Sequence, residues 1–239
     1  MPKLLNFAPK AGQRLKIQNK SAKQAEIILY AGIGDDWWGD GSMVSAKQFS
    51  DELKKIDSSV EEIVLRINSP GGDVFQGMTI YNRLRQHKAK KKVYIDGLAA
   101  SIASIIALAG DEVIIGEGAM YMVHLPWTFA MGDRLALDST IGLLMDIEEQ
   151  MVSIYSKRSG LDRTEIKQLL EAETWLGADE AIEKGFVTSK ADESIPIAAS
   201  AFKRPWINRA PESYRSETAA VSAAKIDLVK KIQSRIARK

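Results

Sequence analysis

The sequence predicts an α/β domain with a largely parallel sheet, and three observations support this. Short runs rich in β-branched residues alternate with segments of helical periodicity, an order typical of parallel α/β folds. Residues 102–109 are apolar on every side, so the helix they predict is buried. The chain has 239 residues and no cysteine, which allows a large core without disulfides and excludes thiol nucleophiles and thiolate metal sites.

The first half of the chain is predicted to alternate strands and helices after a polar, basic arm at residues 1–24. Ser45 and Gln48 fit a capping box that opens a helix. The two glycines of SPGG, residues 69–72, form a turn between a strand and a helix. The predicted strands are 25–32, 61–68 and 92–96, and the predicted helices are 45–56, 75–87 and 102–109.

The second half is predicted to contain two more strands, a long helix and a short closing unit. The long helix covers 134–159 and ends at Gly160, because glycine is favoured just beyond a helix C-terminus. Asp162 and Glu165 form a second capping signature, for a helix to about residue 172. The remaining predicted elements are strands 112–116, 119–124 and 186–189 and a helix at 177–184.

The predicted core domain covers residues 25–192, and a basic tail with an amphipathic helix follows at 193–239. Residues 194–239 carry ten Lys or Arg against three Asp or Glu, a balance compatible with a nucleic-acid-binding tail or a solvated one. The tail contains no recognised nucleic-acid motif, so a nucleic-acid partner is not expected. No apolar run approaches the ~20 residues of a membrane span, and no signal-peptide core is present. We therefore expect a cytoplasmic protein.

A serine nucleophile fits best at Ser101, in the stretch DGLAASIAS between a predicted strand and the buried helix. Its small neighbours let a substrate approach, and a helix N-terminus favours developing negative charge. A serine at such a position also commonly serves as a helix cap alone. Because a serine nucleophile needs a base at neutral pH, and the chain has two histidines, the choice of base is narrow.

His124 is the stronger candidate for that base. It ends the strand-like run YMVH before Pro126, and functional groups of parallel α/β sheets lie at strand ends. A buried structural histidine gives the same pattern, whereas His87 lies in the solvated segment QHKAKKK. The adjacent glycines Gly71 and Gly72 can leave amide groups that stabilise an oxyanion, or they form an ordinary turn.

The acid that orients a catalytic histidine is predicted in LLEAETW, where helical periodicity stops before Trp175. Glu171 and Glu173 are the two candidates there. Carboxylates at such positions are commonly just solvated surface groups. The residues by themselves therefore do not show which of the two, if either, orients the histidine. We expect no cofactor and no metal.

Four motifs, in order, resemble those of the ClpP family of serine peptidases. They are LRINSPGGDVFQGMTIYNRL, DGLAASIASIIALAG, MYMVHLP and ETWLGADEAIEKGFVTS. The resemblance covers about residues 25–190 and is greatest to the phage branch of head maturation, or prohead, proteases. It implies a ClpP/crotonase-like fold of repeated β-β-α units with a long projecting oligomerisation helix, here at 134–159.

The resemblance also implies roles for the site residues. The serine of its G-x-A-A-S motif is the nucleophile and corresponds to Ser101, and the histidine of its M-x-H-x-P motif is the base and corresponds to His124. The S-P-G-G glycines and the amide after the nucleophile form the oxyanion hole, which corresponds to Gly71, Gly72 and Ile102. The family pattern has an Asp two residues before an aromatic residue, where this chain has Glu173, so the acid is expected to reach His124 through a longer side chain.

The resemblance implies a homo-oligomeric ring, single or stacked in pairs, that cleaves protein or peptide substrates. In the phage branch these would be capsid or scaffold proteins, cleaved in the host cytoplasm or the procapsid during head maturation. Three alternatives remain open: a ClpP-type proteolytic subunit that works with an unfolding ATPase, a crotonase-fold acyl-CoA enzyme, and a non-catalytic scaffold protein.

Overall fold

The computed structural model describes residues 15–19, 21–36 and 41–191. The rest of the predicted N-terminal arm and the predicted basic tail with its helix lie outside these ranges. The strands are β1 (Leu15–Asn19), β2 (Gln24–Leu29), β3 (Gly32–Ile33), β4 (Met43–Val44), β5 (Glu62–Ser69), β6 (Lys90–Ala100), β7 (Glu112–Ile115), β8 (Met120–Val123), β9 (Thr174–Leu176) and β10 (Ser189–Lys190). The helices are α1 (Ala46–Leu53), α2 (Val74–Gln86), α3 (Ile102–Ala107), α4 (Arg134–Ser159), α5 (Arg163–Glu171) and α6 (Ala178–Glu183).

The main sheet of the described residues has the strand order β1-β2-β5-β6-β7-β10, and β8 and β9 extend it from the second half of β6. Its pairings are parallel except at β1–β2 and β8–β9. This confirms the predicted α/β class. Five residues of the predicted arm form β1, which adds an antiparallel edge to β2.

Strand β6 is the centre of the sheet and is longer than the predicted 92–96. Its first half pairs with β7, and residues 98–100 then pair with β8. The small residues of this second half have little β-propensity of their own. They are extended because β8 supplies a hydrogen-bonding partner that no local sequence signal reveals.

The core lies between the sheet and the helices packed on it. Strands β2 and β5 alternate buried and half-buried residues, as strands with one face in a core do. Helix α3 is buried along its whole length, as its apolar sequence predicts. Tyr121 of β8 and Tyr155 of α4 both pack against Phe186, with ring centroids 5.3 and 5.8 Å apart, so β8, α4 and the segment after α6 share one cluster.

Helix α4 has the predicted bounds, from the Asp133 N-cap to Gly160, which adopts a φ of 80° at the C-cap. Its C-terminal half packs into the core through Met151, Val152 and Tyr155. Its N-terminal half instead exposes large apolar side chains: Leu135, Leu137, Ile141, Leu143 and Met145. The helix therefore projects from the domain, as the resemblance implied.

Two elements near the C-terminal end of the described region differ from prediction. Residues 174–176 form β9, and the last strand lies at 189–190 rather than 186–189. Phe186 and Val187 are apolar because they are buried in the core, not because they pair in the sheet. Within the described ranges, none of the helices combines the length and apolar character that a membrane span requires.

Candidate active site

Ser101 occupies a tight turn between β6 and α3. Its backbone has φ 55° and ψ −131°, and it is one of two non-glycine residues with positive φ in the described part of the chain. Its amide donates to the carbonyl of Met122 at 3.0 Å. A residue with such a sparsely populated backbone conformation is held in it by its surroundings. Residues of this kind cluster at functional sites.

His124 directly follows β8 and lies beside that turn. The parallel pairing of Ala100 with Met122 brings the ends of β6 and β8 together. His124 Nε2 lies 2.8 Å from Ser101 Oγ, within hydrogen-bonding distance. Burial lowers the pKa of His124 below its ordinary value of 6.5, and the charge of Glu173 raises it in part. The imidazole is therefore mainly neutral at neutral pH and able to accept a proton.

Glu173 reaches this site through β9. The antiparallel register pairs Val123 with Thr174, so the residues just outside that pair, His124 and Glu173, lie at the same end of the two strands. Glu173 is the second non-glycine residue with positive φ, at 48°, and its Oε1 accepts from Trp175 Nε1 at 3.4 Å. Of the two candidate acids, Glu173 is the one whose charge acts on the imidazole, whereas Glu171 is the exposed last residue of α5.

Gly71 lies directly against the serine turn, with φ 82°. A Cβ on Gly71 would lie 2.6 Å from the carbonyl oxygen of Ala100 and 2.8 Å from Ser101 Cβ. Only glycine combines this positive φ with so close an approach. The Gly71 amide donates to Ser69 Oγ at 3.2 Å, so that donor is already engaged.

The amides of Gly72 and Ile102, the other two predicted oxyanion donors, make no such hydrogen bond. Ile102 is the first residue of α3, where amides lack partners within the helix, and Gly72 follows Gly71 with φ 149°. Neither amide has an acceptor among the described residues. The turn and the SPGG segment thus bring two unengaged N–H groups into the neighbourhood of Ser101 Oγ.

A groove of about 480 Å³ opens next to these residues. It begins at Gly72 and at Pro126, two residues after His124, and continues along the exposed half of α4. Phe129 and Met131 on its rim are 93% and 100% exposed. Its lining is Gly72, Asp73, Val74, Phe75, Pro126, Trp127, Thr128, Phe129, Ala130, Met131, Thr140, Leu143, Leu144 and Ile147. This groove, lined by both apolar and polar groups, has the size of a site for a short peptide segment.

Sequence reasoning missed a cluster of buried hydroxyls under the serine turn. Ser104 and Tyr155 are within hydrogen-bonding distance of each other, and Tyr121 donates to the Ser104 carbonyl. The one signal in the sequence is a polar residue, Ser104, inside the apolar run of α3. Its partner lies 51 residues away, beyond the reach of any local pattern.

Comparison with known proteins gives a consistent result. A family model described as Clp protease matches residues 11–193. The ATP-dependent Clp protease proteolytic subunits of Streptococcus pneumoniae strains Hungary19A-6 and CGSP14 are each 25% identical over 191 residues, which is 78% of this chain and 94% of the relative. A solved structure of a ClpP1 mutant from Listeria monocytogenes matches with a TM-score of 0.61 at 22% identity, over 72% of this chain and 93% of that one.

The chain therefore belongs to the Clp protease family. It has the ClpP-like fold and is a serine-type peptidase.

Proposed function

We propose that this member of the Clp protease family is an endopeptidase in which Ser101 is the nucleophile and His124 the general base. The observation that carries the proposal is the 2.8 Å separation between Ser101 Oγ and His124 Nε2. The lowered pKa of His124 supports it, because a base must be unprotonated at the working pH. Glu173 is the acid of the triad, and its negative charge stabilises the imidazolium that forms during the reaction.

The reaction runs in two halves. Ser101 Oγ attacks the carbonyl carbon of the scissile peptide while His124 Nε2 takes the hydroxyl proton, and the carbonyl electrons move onto the oxygen. The amides of Gly72 and Ile102 donate to that oxyanion, and the closely packed Gly71 leaves the space it needs. The imidazolium then protonates the leaving amine, the C–N bond breaks, and an acyl-enzyme ester remains. Water, deprotonated by His124, attacks the ester carbonyl. The imidazolium then returns that proton to Ser101 Oγ as the ester C–O bond breaks and the acid product leaves.

The groove supports cleavage within polypeptides rather than of small esters. It runs away from Gly72 along α4, so several residues of a chain can bind while one carbonyl lies at Ser101. The exposed apolar half of α4 supports assembly, because apolar surfaces of this extent mark protein–protein contacts. We propose that the partner is a second copy of this chain within a homo-oligomeric ring, single or stacked in pairs.

The proposed substrates are capsid or scaffold proteins processed during phage head maturation, in the host cytoplasm or the procapsid. This rests on the resemblance of the four motifs to the phage branch. The alternative is a proteolytic subunit that works with an unfolding ATPase. The names of the Streptococcus pneumoniae relatives, which are ATP-dependent Clp protease subunits, favour that alternative.

A fluorophosphonate probe tests the nucleophile. Wild-type protein, assembled as judged by size-exclusion chromatography, is expected to be labelled at Ser101, and the Ser101→Ala variant is expected not to be labelled. Ser58→Ala, which removes a hydroxyl from an exposed loop, is the matched control and should be labelled like wild type. Equal labelling of Ser101→Ala and wild type, or no labelling of assembled wild type, contradicts the proposal. A crotonase-type acyl-CoA enzyme needs no activated serine and would leave Ser101 unlabelled.

The choice of substrate is tested by incubating the purified peptidase with purified capsid and scaffold proteins of the same phage. Cleavage at defined sites by the purified peptidase, in the absence of ATP, is the expected result. Cleavage of folded proteins only after addition of an ATPase that co-purifies with the peptidase favours the alternative.

A further inference from the structure

We propose that Ser104 and Tyr155 are positioning residues that hold the main chain of Ser101 in its reactive conformation. The inference rests on the proposed role of Ser101 as nucleophile. It concerns two side chains that touch neither substrate nor His124 and act through the serine turn alone.

The carbonyl of Ser101 receives two hydrogen bonds from one residue. Ser104 Oγ donates to it at 2.5 Å, and the Ser104 amide donates to it at 3.0 Å. With the Ser101 amide bonded to Met122 at 3.0 Å, the peptide groups on both sides of the nucleophile are fixed. A residue with φ 55° and ψ −131° needs such anchoring, because an isolated serine leaves this conformation for a commoner one.

Tyr155 fixes the Ser104 hydroxyl in turn. The two oxygens are 2.7 Å apart, and the single proton of Ser104 is already donated to the Ser101 carbonyl. Tyr155 is therefore the donor, and the bonds run from Tyr155 O–H to Ser104 O–H to the Ser101 carbonyl. Hydrogen bonds arranged in such a chain strengthen one another.

The surroundings keep this chain in place. Ser104 and Tyr155 are fully buried, and burial raises the pKa of Tyr155, so its hydroxyl stays protonated. Its ring packs edge-on against Phe186. The hydroxyl of Tyr121 donates to the Ser104 carbonyl at 2.9 Å, which ties the same turn of α3 to β8, the strand that directly precedes His124.

Helical serines and threonines often bond to carbonyls of the preceding turn, so the bond from Ser104 is not by itself a sign of function. Thr79 and Ser139 do the same on exposed faces of α2 and α4. Two features distinguish Ser104: its acceptor is the strained residue 101, and its hydroxyl is oriented by a tyrosine from another helix. A purely structural role would affect stability without affecting the chemistry at Ser101.

The test compares Ser104→Ala and Tyr155→Phe with Ser159→Ala. Ser159 is a matched control because its hydroxyl donates to the Tyr155 carbonyl at 2.8 Å, on the same helix but away from the serine turn. Each variant is assembled to the wild-type size. We then measure kcat and KM on a peptide, the second-order rate of fluorophosphonate labelling, and the melting temperature.

We expect Ser104→Ala to lower kcat and the labelling rate about tenfold, since small misplacements of reacting groups cost this much or more. KM should stay within about twofold, because the groove is unchanged. Tyr155→Phe should have a smaller effect of the same kind. The double variant should be no slower than Ser104→Ala, because Tyr155 acts through Ser104. Ser159→Ala should label like wild type even where its melting temperature falls.

Labelling of Ser104→Ala at the rate of Ser159→Ala overturns the inference, as does a rise in KM with kcat unchanged. If Ser104→Ala fails to assemble, Tyr155→Phe decides, because it keeps the ring and removes one oxygen. If assembled wild type is not labelled at Ser101, the proposed nucleophile has failed and not this inference.

Discussion

The turn that carries Ser101 and the turn that carries Glu173 both contain a non-glycine residue with positive φ, but their surroundings differ. Both residues have positive φ without being glycine, at 55° and 48°. The serine turn lies between buried neighbours, Ala100 and Ile102, and both of its peptide groups are anchored. The glutamate turn follows two exposed residues, and its amide bonds to Leu170 at 3.2 Å. The core thus fixes Ser101, the proposed nucleophile, while a surface turn holds Glu173, the proposed acid.

The largest effect is expected at the base, which belongs with the serine turn. His124→Ala should lower kcat on the order of 10⁴–10⁶-fold, the scale on which serine peptidases lose activity without their base. His87→Ala is the matched control, because it removes the other histidine, at the C-cap of α2, and should keep full activity. Steady-state kinetics on a peptide substrate measures both. Near-normal activity of His124→Ala would contradict a catalytic role for His124 and the serine turn.

Gly71→Ala tests how closely packed the serine turn is. The added methyl meets the Ala100 carbonyl at 2.6 Å, and φ is 82°, so we expect a loss of about 2–4 kcal/mol of stability from strain and overpacking. Activity should fall at least 100-fold, because Ser101 itself is displaced. Gly118→Ala, where a methyl meets no atom within 4 Å, should change neither. A Gly71→Ala protein with wild-type melting temperature and kcat would show that the backbone around Ala100 and Ser101 moves to accept the methyl group at little cost.

Glu173→Gln tests the acid. Loss of the carboxylate charge should lower kcat on the order of 10³- to 10⁴-fold, less than loss of the base, because the Ser101–His124 pair remains in place. Glu171→Gln, two residues earlier, is the control and should stay within about twofold of wild type. A larger loss at Glu171 than at Glu173 in the same kinetic assay would reassign the acid.

The pH dependence of activity tests the electrostatic effect of Glu173 on His124. Because neutral His124 is the base, activity is lost as pH falls through its pKa, and burial holds that pKa below 6.5. The acid limb of kcat/KM is therefore expected below pH 6.5 in wild type. Glu173→Gln removes the charge that raises the pKa, so its limb should shift to lower pH. A shift to higher pH contradicts an electrostatic role for Glu173.

The smallest effect concerns backbone strain alone. Replacing each residue by Gly and by Ala isolates the cost of positive φ, and Gly should be the more stable by about 1–2 kcal/mol at position 173. At position 101, where ψ is −131°, the difference should be about 2–3 kcal/mol. Denaturant unfolding at equal protomer concentration measures both. Equal differences would mean that the two turns store the same strain.

The sequence predicted features that depend on neighbouring residues and missed those that depend on distant ones. Local chemistry made Ser101 and His124 candidates, through small residues before a buried helix and a strand ended by proline, and the resemblance to the ClpP family then favoured them. The structure adds that the two side chains lie 2.8 Å apart. Both ends of helix α4 were predicted to the residue, and Gly160 is the local signal for its C-terminal end. The second half of β6 was missed, since its extended state depends on pairing with β8. The bond between Ser104 and Tyr155 was missed for the same reason, because it joins residues 51 positions apart.

The antiparallel pairing of β8 with β9 also determines when the peptidase becomes complete during its own synthesis. Ser101 and His124 leave the ribosome first, Tyr155 follows, and Glu173 reaches the imidazole only after residues 174–176 have paired with β8. A nascent chain therefore carries the proposed nucleophile and base for some time before the proposed acid is placed beside them. The proposed triad is therefore assembled only after residue 176 has been synthesised, although its first two members lie more than 50 residues earlier.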